Sequence, residues 1–251
     1  MELSYIQFDE RLDAVQFAEL RSAKSVQKKF RRNFLLSWLY HELSVEGVVL
    51  DQSDLERAMA GRDGRDYCDG ELLKAIRRYR EALRRLSTAA AQREPVSRSL
   101  IFEYQAILSG RQGRNAVRSE DGPTEQYKHN VLPADEIDDA LRALVADVRE
   151  QSERLHPIEL AVQTHYRFVK IWPFEEHSAA VARLVANQIL YSNGYPPAIL
   201  CAHDRQRYYH ALHYDMTRLH ALVMESLRGQ IELRERLFRK RRESVAVRAA
   251  L

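Results

Sequence analysis

The sequence predicts an all-α fold, and three observations carry the prediction. Only 9 glycines and 7 prolines occur in 251 residues, too few breakers for the turn-rich layout of a sandwich or barrel. Apolar residues recur at helical spacing along most of the chain. Hydrophobic residues make up 45% and charged residues 30%, the balance of a soluble globular protein. A chain of this length buries a core without disulfide or metal staples.

The elements follow in order. In residues 10–43 the positions Phe17, Leu20, Phe30, Phe34, Leu35, Trp38 and Leu39 share a helical period and predict one long helix, ended by Gly47. Ser53-Asp54-Leu55-Glu56 reads as a capping box that opens a short helix to about Ala60. Residues 61–70 read as a loop, and 71–86 as a helix with Leu72, Leu73, Ile76, Tyr79, Leu83 and Leu86 inward. A further helix is predicted over 96–108. The polar segment 110–133 is the longest irregular region and has room for a small hairpin around Ala116-Val117. Helices return over 135–153, from Pro157 to about Lys170, and over 179–192. Pro157 suits a first turn, while Gly194 and Pro196-Pro197 close the last of these. Two more helices are expected near 204–213 and 215–228. The tail beyond Glu232 is helical in pattern and basic through Arg234, Arg236, Arg239, Lys240, Arg241 and Arg242. The chain divides as 1–95, 96–228 and 229–251.

Bulk properties narrow the function. A net charge of +3 does not by itself imply nucleic acid. Cys68 and Cys201 stand far apart, without ligand-like neighbours in sequence, and read as reduced thiols of a cytoplasmic protein. The N-terminus lacks a basic segment followed by an apolar run, so no signal peptide is expected. No apolar stretch nears the ~20 residues of a membrane span.

The most informative stretch runs from Ile171 through Trp172-Pro173-Phe174-Glu175-Glu176-His177-Ser178-Ala179-Ala180-Val181-Ala182-Arg183. It resembles the active-site loop H-P-F-x-[DE]-G-N-G-R-x-x-R of the Fic (Fido) family of AMP-transferring proteins. Pro173, Phe174, Glu176 and Arg183 match the motif. Flanking matches in the same register are His165, Phe168, Val169, Ile171, Leu184, Asn187 and Gly194-Tyr195-Pro196-Pro197, with weaker similarity at Tyr208, Tyr209 and Leu212. The resemblance covers roughly residues 30–225. It implies a Fic-type helical bundle with a small β-hairpin flap at 110–133, where the family docks its targets.

The departures fall on the chemistry. The motif's first histidine is the family's general base; Trp172 stands there, and an indole N–H only donates. The family's G-N-G-R segment cradles nucleotide phosphates at a helix N-terminus. His177, Ser178, Ala179 and Ala180 occupy those four places. The two glycines that permit close backbone approach are gone, and a methyl replaces the phosphate-binding guanidinium. Losing a general base removes about 10²–10⁴ in rate, and losing an oxyanion-type donor about 10²–10³. Glu176 matches the family's magnesium position, but one carboxylate without phosphates makes a poor magnesium site.

Many family members also carry an inhibitory helix, S/T-x-x-x-E-[GN], whose glutamate pairs with the motif's last arginine. Glu42-Leu43-Ser44-Val45-Glu46-Gly47 resembles it, with Glu42 in place of the Ser/Thr. The resemblance implies a Glu46–Arg183 pair, expected to be bidentate, buried and structural.

Other residues read more plainly. His165 is expected to make a satisfied core hydrogen bond. His177 reads as an exposed loop histidine before it reads as a substitute base. His210 and His213 share a helix face, but with His203 and His220 they offer no evident third ligand, so no metal is expected. The tail 234–242 reads as a solvated helix end more than as a nucleic-acid contact.

The sequence therefore points to a degenerate Fic-like protein that transfers no AMP and acts through binding, to another protein or to a second copy of itself. No cofactor is expected, with ATP and Mg only if family activity persists. The competing expectation is a transferase with altered chemistry that uses Glu176, His177 or Ser178.

Overall fold

A helix buried all around its circumference sits at the centre of the computed structural model, which describes residues 5–61, 67–111, 117–120 and 131–238. That helix is α8, Ser178–Ser192, and its residues Ser178 to Leu190 are all buried. A helix without a polar face must be enclosed on every side. α7 (Pro157–Ile171) and α4 (Tyr67–Ala91) provide most of that enclosure, with α5 (Arg98–Ser109) beside them. α6 (Ile137–Gln151) packs on α7, and α3 (Gln52–Met59) packs on α4. α1 (Tyr5–Leu20) lies along α10 (Met216–Phe238), α2 (Lys24–Val45) meets α4, and α9 (Arg205–Tyr214) packs on α10. Two 3₁₀ turns, Ala134–Glu136 and Ala202–Asp204, introduce α6 and α9. The described residues form helices and connections and no strand. The fold is all-α, as expected. The hairpin expected at Ala116-Val117 falls largely on 112–116 and 121–130, outside the described residues.

Several element boundaries differ from expectation. The long helix of 10–43 is two helices that turn at 21–23. No glycine or proline marks the break. It is held by the Gln27 side-chain amide, which donates to the carbonyls of Glu19, Leu20 and Ser22, and by the Ser22 hydroxyl on Glu19 O. Such side-chain bonds to main-chain carbonyls substitute for a helix ladder. The break also leaves Phe17 and Leu20 exposed, while Phe8, Leu12 and Val15 face the core.

The capping box of α3 opens two residues earlier than expected. Asp51 is the N-cap; its carboxylate accepts from Asp54 N at 3.0 Å, and Asp54 accepts from Asp51 N at 2.9 Å. The Ser53 hydroxyl donates to the Asp51 carboxylate instead of capping. α4 begins at Tyr67, inside the segment read as loop, and runs on to Ala91. α10 extends to Phe238, so the tail's first part is one helix with the segment before it. Arg234 is not solvated there: it is buried, with its guanidinium 5.0 Å from the ring centres of both Phe30 and Phe34. Arg239 to Arg242 lie outside the described residues.

Candidate functional site

The segment from Trp172 to Arg183 joins α7 to α8 through a loop whose backbone conformation is unusual at both ends. Trp172 caps α7 in the left-handed region, φ 48° and ψ 63°, with its amide on Phe168 O at 3.0 Å. His177 precedes α8 in the same region, φ 69° and ψ 9°. Left-handed backbone is rare for bulky L-residues. His177 stands where the motif has its first loop glycine, so the loop keeps a glycine-type conformation without the glycine. We expect His177→Ala, which loses the ring but keeps the strain, to be less stable than His177→Gly by about 1 kcal/mol. Equal midpoints in urea denaturation would show that no strain is stored there.

The loop is closed on itself. The Ser178 hydroxyl accepts from Phe174 N at 2.8 Å and donates to Phe174 O at 2.8 Å. Ser178 and Ala180 are fully buried, and Trp172, Phe174 and Ala179 are nearly so. Phe174 packs edge-on against Phe102 of α5, with ring centres 5.4 Å apart. Glu176 projects into solvent, the place expected of a solvated loop acid. His177 is half-buried, contrary to the exposed reading, and the Tyr79 ring of α4 lies edge-on to it at 6.4 Å. Burial lowers the His177 pKa from its ordinary value.

The segment read as a flap is tied to this loop. Arg118 is buried; its amide donates to Pro173 O at 2.9 Å and its Nε to Trp172 O at 2.8 Å. Its other guanidinium nitrogens reach Glu120 O and Leu132 O. One arginine thus gathers the carbonyls of three segments. Nothing in the spacing of 110–133 singled it out, because the acceptors are backbone groups that any residue carries.

Arg183, five residues inside α8, is the buried ion-paired side chain of the site. Its Nε donates to Glu42 Oε2 at 2.7 Å and its Nη2 to Glu46 Oε1 at 2.7 Å. The Trp38 indole N–H donates to Glu42 Oε1 at 3.1 Å. The pair expected with Glu46 is present, but it is not a bidentate pair with one carboxylate. Two carboxylates from successive turns of α2 share the guanidinium. Side-chain exposure is 2% for Arg183, 4% for Glu42 and 18% for Glu46, so the inner member is the one in the Ser/Thr position of the motif. Trp38, Glu42 and Glu46 recur every four residues and so share one helix face. That stripe was the signal available for Glu42 and Trp38. Past Glu46, Gly47 turns the chain at φ 90°, and a Cβ there would come within 2.9 Å of the Arg205 guanidinium.

Behind Arg183, His165 Nε2 bonds the Tyr208 hydroxyl at 2.8 Å, both fully enclosed. This is the satisfied core contact expected of His165. The other histidines scatter: His210 Nδ1 meets Arg218 Nη1 at 2.6 Å and His220 Nε2 meets the Tyr5 hydroxyl at 2.7 Å. Cys201 is a free, partly buried thiol; the side chain of Cys68 lies outside the described residues.

Known proteins place this arrangement. The Fic/DOC family model matches residues 95–190, a span that includes the whole loop. The chain is similar to the protein adenylyltransferase Fic of Drosophila grimshawi, 26% identical over 228 residues, which covers 84% of this chain and 44% of that protein. It thus spans less than half the length of that relative. Its fold is similar to a Fic domain-containing signaling protein of Bacteroides thetaiotaomicron, with a TM-score of 0.76, 19% identity, and 91% and 96% of the two chains covered. It is similar as well to Fic-1 (residues 134–508) of Caenorhabditis elegans, with a TM-score of 0.74, 22% identity, and 94% and 73% covered. The described residues contain no helix long and apolar enough to cross a membrane. The α7–loop–α8 unit and its closing arginine thus lie within the residues, 95–190, that match the Fic/DOC family.

Proposed function

We propose that this chain transfers no AMP and acts as a binding module, to a protein partner or to a second copy of itself. The observation that carries the reading is the occupation of the phosphate end of the loop by the protein's own groups. The Ser178 hydroxyl already bonds both the amide and the carbonyl of Phe174. Ala180 offers a methyl where the motif has an arginine, and Arg183 is spent on Glu42 and Glu46. These residues fit a triphosphate poorly. The nearest carboxylate in the magnesium position, Glu176, faces solvent without phosphate oxygens to complete an octahedron. Trp172 offers no acceptor nitrogen for a target hydroxyl's proton.

Two faults are stacked here, a grip on Arg183 and a missing catalytic set, and variants separate them. Glu42→Ser with Glu46→Gly frees Arg183 and leaves the loop as it is. It is expected to show no label from alpha-labelled ATP on itself or on added protein, and no thermal shift with ATP and magnesium, since stabilisation requires a ligand bound to the native state. Adding Trp172→His, His177→Gly, Ser178→Asn, Ala179→Gly and Ala180→Arg restores the motif. Self-labelling is expected only in this combined variant, because the restored loop with Glu46→Gly alone still has Glu42 on Arg183. Label transferred by the unaltered chain, and lost on mutation of Glu176 or His177, would overturn the proposal.

A further inference from the structure

The connection between α8 and α9 gathers three metal-type donors that the loop chemistry does not use. Cys201 Sγ, a ring nitrogen of His203 and a carboxylate oxygen of Asp204 lie within 4.8 Å of one another, the one such group of three or more among the described residues. A tetrahedral zinc with bonds of about 2.0–2.3 Å spaces its donors by roughly 3.3–3.8 Å. Small side-chain rotations close that difference, and His203, with its side chain 78% exposed, is free to make them.

The surroundings orient the donors. Asp204 Oδ1 accepts from Arg207 Nη1 at 2.7 Å, which leaves Oδ2 turned to His203 Nε2 at 3.3 Å. A carboxylate held on one oxygen and presented on the other is the arrangement of a supported ligand. His41 of α2 accepts from Ala202 N through Nδ1 at 3.2 Å, pinning the 3₁₀ turn that carries the donors. That bond commits His41 to support and removes it as a ligand. A cavity of about 290 Å³ lined by His41, Cys201, Asp204 and Ser226 lies alongside, with room for a water in a fourth position.

The geometry points to a divalent transition-metal site at Cys201, His203 and Asp204, of the one-sulfur, one-nitrogen, one-oxygen type that suits zinc. Thiolate and carboxylate would balance the ion's two charges, and the mixed soft and borderline donor set disfavours magnesium and calcium. Without metal, burial and the Asp204 charge push the Cys201 thiol up. The ion takes the thiolate, so binding releases the thiol proton.

The sequence reading missed this group because the donors follow no two-plus-two spacing and two of them flank an alanine in a turn. The test is titration of the reduced full chain with cobalt(II) as a spectroscopic probe, followed by displacement with zinc. The expected result is a thiolate-to-cobalt charge-transfer band that saturates at one metal per chain and is bleached by zinc. The band should survive Cys68→Ser and vanish in Cys201→Ser. His203→Ala should weaken zinc roughly 100-fold and Arg207→Gln roughly tenfold, with unchanged circular dichroism in each. No thiolate band, or a band that follows Cys68 instead of Cys201, overturns the assignment.

Discussion

Replacing Arg183 with alanine is expected to destabilise the protein by about 3–5 kcal/mol, the cost of stripping a buried ion pair of one partner. The reason is the count of carboxylates left behind. Glu42 and Glu46 both point at the guanidinium, and Glu42 has almost no water to turn to. Removing the cation leaves two like charges on neighbouring turns of α2. For a domain of this size the loss corresponds to roughly 6–20 °C in melting temperature. A compensated variant distinguishes buried charge from lost packing. Arg183→Met with Glu42→Gln and Glu46→Leu removes all three charges, keeps comparable volume and leaves the Trp38 indole an acceptor. It should recover most of the stability, because replacing a buried ionic cluster by well-packed neutral groups is often close to neutral. If Arg183→Ala melts with the unaltered chain, the cluster contributes nothing to the fold.

Stability is also expected to fall steeply in mild acid, and His165 should account for a large part of the fall. Burial, with the positive charge of Arg183 adding to it, holds the His165 pKa down at about 3 from an ordinary 6.5. Between those values the unfolded chain binds a proton at this position and the folded chain does not. Stability therefore rises with pH through that window and is lost as pH falls below 6.5. One group with this separation contributes up to about 1.4 kcal/mol per pH unit, which integrates to roughly 2 kcal/mol between pH 6.5 and 4.5 because the unfolded chain is only half protonated at the upper end. His41 and His177 are lowered by burial too and act in the same direction. His165→Gln keeps a partner for the Tyr208 hydroxyl but cannot take the proton. Urea denaturation across that pH range should show a shallower slope in the variant. Parallel slopes would mean that His165 is protonated inside the fold without penalty.

Most helices were legible in the sequence because amphipathic periodicity and end signals are local. Pro157 opens α7 and Gly194 follows α8, each doing what its own backbone chemistry dictates. Boundaries failed where the deciding group lay elsewhere. The turn at 21–23 depends on the reach of Gln27, and the α3 cap on Asp51 instead of Ser53.

For the site, the sequence alone determined the resemblance to the Fic motif and the absence of an imidazole at Trp172 and of a guanidinium at Ala180, since residue identity and motif register are properties of the string. Only the tertiary structure decided that Glu42 is the inner carboxylate on Arg183, that Arg118 ties three carbonyls to the loop, that Ser178 fills the loop from within, and that Cys201, His203 and Asp204 converge. Each of those depends on how deeply a side chain is buried and which distant backbone atoms it meets. Burial and long-range contact emerge only when the helices have packed, so no local pattern of residues encodes them.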